Sequence, residues 1–299
     1  MTGPERITCA LRIAITLASF LLAGAVARAQ AQPVRPLPEP ELHGFASRFL
    51  HDKGEAGCKP PNCSILVADF TNASGETSQL GIELADQIAE DFASLLGATE
   101  IINRTLLHTY LERARIPADL LNNDDAMRWL GKELGATTIL TGTAESQDGK
   151  LRLTARWLSA DSKWSGPKED LAATYHGDLA ADLAPLDPFS SHNPVPDSVA
   201  PAGVVVAGKN GVTNPTCVYC PAPSYSPAAR SAKFQGTLVL TVVVTAGGRA
   251  SSVVPLRGAP FGLNEAAISA IQWWQFNPAM KDGHTVAVTL PIEITLHLY

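Results

Sequence analysis

The chain has 299 residues, 45% hydrophobic and 17% charged, with a formal net charge of −6. That apolar content excludes an intrinsically disordered chain, which cannot bury enough surface to offset its conformational entropy. The 23 Lys and Arg residues are scattered without a basic run, which excludes nucleic acid as a partner, since binding it needs a concentrated positive stripe.

At the N-terminus, Arg6 and Arg12 precede an uncharged apolar run over 13–27, followed by the small-residue sequence ARAQAQ. This pattern predicts a secretory signal over residues 1–31, cleaved after Ala29 or Ala31. As a helix the run rises roughly 22 Å, short of the roughly 30 Å hydrocarbon core. A retained anchor stays open if Ala10 and Leu11 join the run and Arg12 snorkels. Residues 32–63 follow as a proline-rich leader.

An α/β domain is expected over 64–183. ILVADF at 65–70 is a buried-strand run. Leu80, Leu84, Ile88, Phe92 and Leu95 fall at helical spacing, which predicts a helix over 78–96 with Gly97 as its stop. A short strand over 100–103, a helix over 108–115 ending before Pro117, and a third helix begun by Asp124 or Asp125 come next. Segments 137–144 and 151–158 read as a hairpin across Gln147-Asp148-Gly149. The β-α-β-α-α-β-β order implies a sheet with helices packed on it.

Residues 184–224 read as a proline-rich linker, and 225–299 as a second, β-β-α-β domain with a three-stranded antiparallel sheet. The whole chain is thus α+β. From Gly236, alternation places Leu238, Leu240, Val242 and Val244 on one face, and Gly247-Gly248 supplies a tight turn. Asn264 is the expected cap of a helix carrying Leu263, Ala267, Ile271 and Trp274. The last strand, 285–299, alternates throughout, one face core and one wet. Pro291 lacks an N–H for a ladder, so this strand is predicted to be an edge. An edge can accept an extended segment of another protein. The candidate peptide-binding residues are Val286, Val288, Thr289, Leu290, Pro291, Ile292 and Glu293.

Of the five cysteines, loss of the signal removes Cys9 and leaves two local pairs, Cys58 with Cys63 and Cys217 with Cys220. In an exported protein these read as disulfides. The alternatives are a redox pair, which would normally open a helix that Pro215 and Pro221 disfavour here, and a zinc site, which the lack of nearby histidines disfavours. No catalytic, metal-binding or cofactor-binding constellation is found. Ser74 lacks a nucleophile elbow, and Gly131-Lys132 lacks a phosphate-loop frame.

Two resemblances follow. ILVADFTNASG at 65–75 and LGATTILTG at 134–142 resemble the N-terminal domain of TolB, which implies an α/β fold and no chemistry. PSYSPAAR at 223–230, QGTLVL at 235–240, FGLNEAA at 261–267 and WQFNPAMKDG at 274–283 resemble, in order, blocks of the TonB C-terminal domain, with Ser226 standing where that family has proline. The second resemblance implies a periplasmic protein in TonB-dependent transport that binds an extended segment of an outer-membrane receptor by strand addition. It also implies coupling to ExbB and ExbD if the N-terminal segment stays as an inner-membrane anchor. The apolar segment here has no histidine, which argues against that motor link. A soluble periplasmic scaffold joining envelope proteins without energy coupling is the alternative, and a homodimer is open under either reading.

Overall fold

The computed structural model describes residues 39–52, 63–96, 101–186 and 200–297, all within one compact unit, Arg35–Tyr299. The expected signal, most of the leader, Cys58, Gly97 and linker residues 187–199 lie outside the described residues.

The N-terminal half begins with helix α1 (Glu39–Asp52), which buries Leu42, Phe45 and Ala46. Strand β1 (Ile65–Val67) is fully buried, and α2 (Gln79–Leu96) lays Leu80, Leu84, Ile88 and Phe92 into the same core at the predicted spacing. The strand expected at 100–103 is reduced, among the described residues, to a bridge from Ile101 to Ile65 and a bond from Ile102 N–H to the Ile65 carbonyl at 2.8 Å. Asn103 takes its place as the cap of α3 (Arg104–Ala114), accepting from Thr105 N–H at 2.8 Å. A 3-10 turn (Ala118–Leu121) leads to α4 (Asp124–Glu133), capped by Asn123 rather than by either aspartate. The two aspartates occupy the first turn, where the helix dipole favours them.

Strands β2 (Thr138–Gln147) and β3 (Lys150–Ser159) form the expected hairpin, closed by Asp148 and Gly149 at φ 53 and 73. Strand β4 (Glu169–Ala173) completes a sheet of order β1-β2-β3-β4, with β1 parallel to β2 and the rest antiparallel. A short helix, α5 (Leu179–Asp182), ends this half.

The segment read as linker carries structure from residue 200. Strand β5 (Val205–Val206) and strand β6 (Thr216–Tyr219) lie within it. Helix α6 (Pro227–Ser231) follows, with Ser226 as its cap: the hydroxyl accepts from Ala229 N–H at 3.0 Å and donates to the Phe261 carbonyl at 2.6 Å. Ser226 is therefore a cap and a tie to the loop before the next helix.

Strands β7 (Gly236–Val244) and β8 (Ala250–Arg257) pair across a turn in which only Gly248, at φ 75, needs a left-handed backbone. Helix α7 (Leu263–Ile271) has Gly262 at its cap position, not Asn264. Strand β9 (Gln275–Asn277) pairs with β6. Strands β10 (Ala279–Lys281) and β11 (His284–Val286) form a separate small hairpin, and β12 (Val288–Leu296) returns along β7.

The expected closing strand is thus broken at Ala287. The expected three-stranded sheet has four strands, in the order β5-β12-β7-β8, the fourth being the two-residue β5. Leu238, Leu240, Val242 and Val244 pack with Leu263, Ala267 and Ile271 of α7 in a core that continues through Leu107, Ile116, Met127 and Leu130 of the N-terminal half. The other face is not uniformly wet: Val239, Val243 and Thr289 are buried, and exposure along β12 is confined to Pro291, Glu293 and Thr295.

Candidate functional site: the β12 edge

Strand β12 is bonded to β7 along its whole length, from Val288 opposite Val244 to Leu296 opposite Gly236. Its outer side meets β5 only at its start, where Val205 and Val206 run parallel to Val288 and Thr289. The Val205 N–H donates to the Ala287 carbonyl at 3.2 Å, and the Ala207 N–H to the Thr289 carbonyl at 3.0 Å. Odd-numbered residues therefore aim their main-chain groups outward and even-numbered ones toward β7. Pro291 falls on the outward parity. Its missing N–H costs the β7 ladder nothing, the physical reason a proline is tolerated inside this nine-residue strand.

Past β5, the outward groups are the Pro291 carbonyl and both groups of Glu293 and Thr295. Among the described residues nothing pairs with them.

The expected binding residues divide accordingly. Pro291 and Glu293 lie on the open rim with exposed side chains. Val288 and Thr289 are buried and covered by β5. Leu290 and Ile292 turn half-buried side chains toward the core. Val286 belongs to β11, opposite Ala279. Sequence reasoning missed Thr295 as a rim residue and β5 as a neighbour. The second was readable: Val204-Val205-Val206 is a β-branched run between Gly203 and Gly208.

Cys217 and Cys220 are disulfide-bonded, on and beside β6 rather than in a featureless linker. The Trp274 indole donates to the Pro221 carbonyl at 2.9 Å, fixing the chain just after the bridge. Trp274 is buried while Trp273 is 72% exposed. Cys63 is buried, and Cys58, its expected partner, lies outside the described residues.

The two halves are joined at the end of α3. Asn264 is 3% exposed, and its amide donates to the Ala114 carbonyl at 2.7 Å while its oxygen accepts from Ala259 N–H at 2.8 Å. The Gly258 N–H donates to the Arg115 carbonyl at 2.6 Å, and a Cβ at Gly258 would stand 2.2 Å from the Ala114 oxygen. Trp129 packs on Phe261 at 5.6 Å between ring centroids. Asn264 is drawn away from capping because the helix end and the loop before α7 each offer it a main-chain partner, the second of them buried. Beside this contact a cleft of about 230 Å³ is lined by Asp125, Arg128, Lys132 and Lys163, and Asp125 already pairs with Lys163 and Arg128.

Helix α3 is held at its other end by charge. Arg104, 8% exposed, donates to the Val67 carbonyl at 2.6 Å and to Asp69 and Asp86. His108 Nε2 lies 3.0 Å from the same Asp69 oxygen. Burial alone would push the Asp69 carboxyl up, but the hydrogen bond with His108 and the charges of Arg104 and His108 outweigh it and hold the carboxyl below its ordinary value. The hydrogen bond to Asp69 pushes His108 up against its partial burial. The cluster supplies the carbonyl at the end of β1 with a donor and anchors α3.

Residues 221–297 match the family model of the Gram-negative bacterial TonB protein C-terminal. Protein TonB of Klebsiella pneumoniae is 27% identical over 119 residues, covering 38% of this chain and 49% of that protein, so the chain spans about half the length of that relative. The solution structure of the Pseudomonas aeruginosa TonB C-terminal domain aligns with 30% of this chain and 90% of that one, at 17% identity and a TM-score of 0.26. The C-terminal domain of LpoB from Salmonella enterica aligns with 45% of this chain and 96% of that one, at 12% identity and a TM-score of 0.36. The family match begins at residue 221, and the TolB resemblance of the N-terminal half rests on its motifs alone. Among the described residues no helix is long and apolar enough to cross a membrane, and no cluster of His, Cys, Asp and Glu is arranged to hold a metal ion.

Proposed function

We propose that this is a periplasmic TonB-like protein whose C-terminal half binds an extended segment of an outer-membrane receptor by strand addition at β12. The observation that carries the reading is the open rim at Pro291, Glu293 and Thr295, lying within a region that matches the TonB C-terminal family. Main-chain groups on a sheet edge are satisfied by water or by another strand, and a guest strand gains affinity from the ladder and specificity from alternate side chains.

The direct test measures binding of labelled peptides, copied from the N-terminal segments of outer-membrane receptors, to the full chain and to Glu293→Pro. That substitution removes an outward N–H and leaves the bonds to β7 intact. A loss of at least about ten-fold in affinity, with an unchanged unfolding midpoint, is expected. Equal binding by both proteins would count against the edge as the site.

A second reading, a periplasmic scaffold joining envelope proteins without energy coupling, is favoured by one observation. The core of the TonB-like half runs on into the N-terminal half, through Phe261, Trp129 and Leu107, so this half is built into a larger body. The N-terminal half, with its TolB-like motifs, would hold the second partner. Sequencing the N-terminus of the mature protein separates the readings: a start near Gln30 or Gln32 removes any direct pull through ExbB and ExbD.

A further inference from the structure

We infer that the segment 203–208 is a resident guest on the β12 edge, a tethered strand that closes the start of the receptor site until a competing segment displaces it. The inference rests on the strand-addition reading above and concerns how that site is regulated.

Past β5 the open rim runs from Pro291 to Leu296, the length of one ordinary strand of about five or six residues, and it offers the carbonyl of Pro291 and the N–H and carbonyl groups of Glu293 and Thr295. A guest that pairs further needs the Thr289 and Ala287 carbonyls, and β5 holds both. The guest and β5 therefore compete for the same acceptors.

Segment 203–208 is built to leave. Its strand is two residues long, against nine for β12 and β7. Val205 and Val206 are only half-buried, unlike Val242 and Val244 behind them. Gly203 at φ 79 and Gly208 at φ 72 turn the chain sharply on either side, and the local bonds from Val204 to Pro201 and from Lys209 to Val206 hold it as a bow rather than a continuous strand. Exchange with a guest replaces main-chain bonds by equivalent ones, so little is lost in the swap. A tethered competitor lowers the apparent affinity of the guest in proportion to the fraction of time the edge stands open.

The test uses the full chain and a fluorescein-labelled synthetic copy of its own residues 201–209 (PAGVVVAGK), read by anisotropy. Val205→Pro with Ala207→Pro deletes the two N–H donors of the resident strand. The double variant is expected to bind the synthetic copy, and receptor segments, at least about ten-fold more tightly than the wild type. Equal binding of the copy by the two proteins overturns the resident-guest inference and leaves strand addition at β12 standing. Tighter binding of the copy by the double variant, with no binding of receptor segments by either protein, keeps the inference and removes the receptor reading. If the double variant fails to fold, amide exchange in the wild type decides. The Val205 and Ala207 amides are expected to exchange at least about 100-fold faster than those of Leu240 and Val242 on β7, as local opening requires. Exchange as slow as that of β7 would overturn the inference.

Discussion

The sheet of β7, β8 and β12, with its helix α7, meets other parts of the chain at two very different seams. At the α3 seam, a buried asparagine bridges two main-chain groups, a glycine admits a carbonyl where no side chain would fit, and Trp129 packs on Phe261. At the β5 seam, two N–H groups meet two carbonyls under half-buried valines. The first leaves the buried N–H groups of Gly258 and Ala259 without partners if it opens, whereas the second returns its groups to water. Opening cost follows burial of the polar groups more than their number. One sheet can thus be fixed to its own chain along one side and exchange partners along another.

The sharpest way to break this contrast is Asn264→Ala. It strands the Ala114 carbonyl and the Ala259 N–H, at about 1–3 kcal/mol each, so a loss of about 3 kcal/mol in denaturant unfolding is expected. A loss below about 1 kcal/mol would mean that water reaches the α3 seam and that the two seams are alike. Trp129→Ala should cost about 2 kcal/mol, less than for a fully buried tryptophan because Trp129 is half-buried. Val205→Pro with Ala207→Pro should cost about 1 kcal/mol by the same measurement, with the unfolding slope unchanged.

The smallest effect is that of pH, and it locates the charge that anchors α3. His108 is pushed up, so its stabilisation is complete below its ordinary value of 6.5 and is lost as pH rises through its higher folded value. Asp69 is held down, so its stabilisation is present above 3.8 and is lost as pH falls through its lower folded value. Stability should therefore be highest between these limits. The alkaline loss should stay below about 1 kcal/mol because His108 is screened by solvent, and it should vanish in His108→Gln.

What could be read from the sequence follows the range of the interactions involved. The apolar stripe of α2, the hairpin across Asp148 and Gly149 and the alternation of β7 are set by spacing within single elements, and all were legible. The features missed depend on partners far along the chain. Strand β6 pairs with β9, so the prolines flanking the cysteines gave the look of a linker. Asn264 sits at a good capping position, but its partner at Ala114 lies 150 residues away. Pro291 led to β12 being read as an edge, whereas β5 lies outside its start, and the choice of rim residues depended on the break at Ala287 and on that arrival of β5. The Asp69, Arg104 and His108 cluster joins β1 to α3 and had no local signature.

The account stands on the claim that Glu293 and Thr295 offer main-chain groups to a guest. Residue-resolved amide exchange of the full chain, with and without a saturating peptide copied from the N-terminal segment of an outer-membrane receptor, addresses it directly. The predicted result is new protection at the Glu293 and Thr295 amides, with the β7 amides unchanged. Protection that leaves both of these amides untouched while the peptide is bound would contradict it.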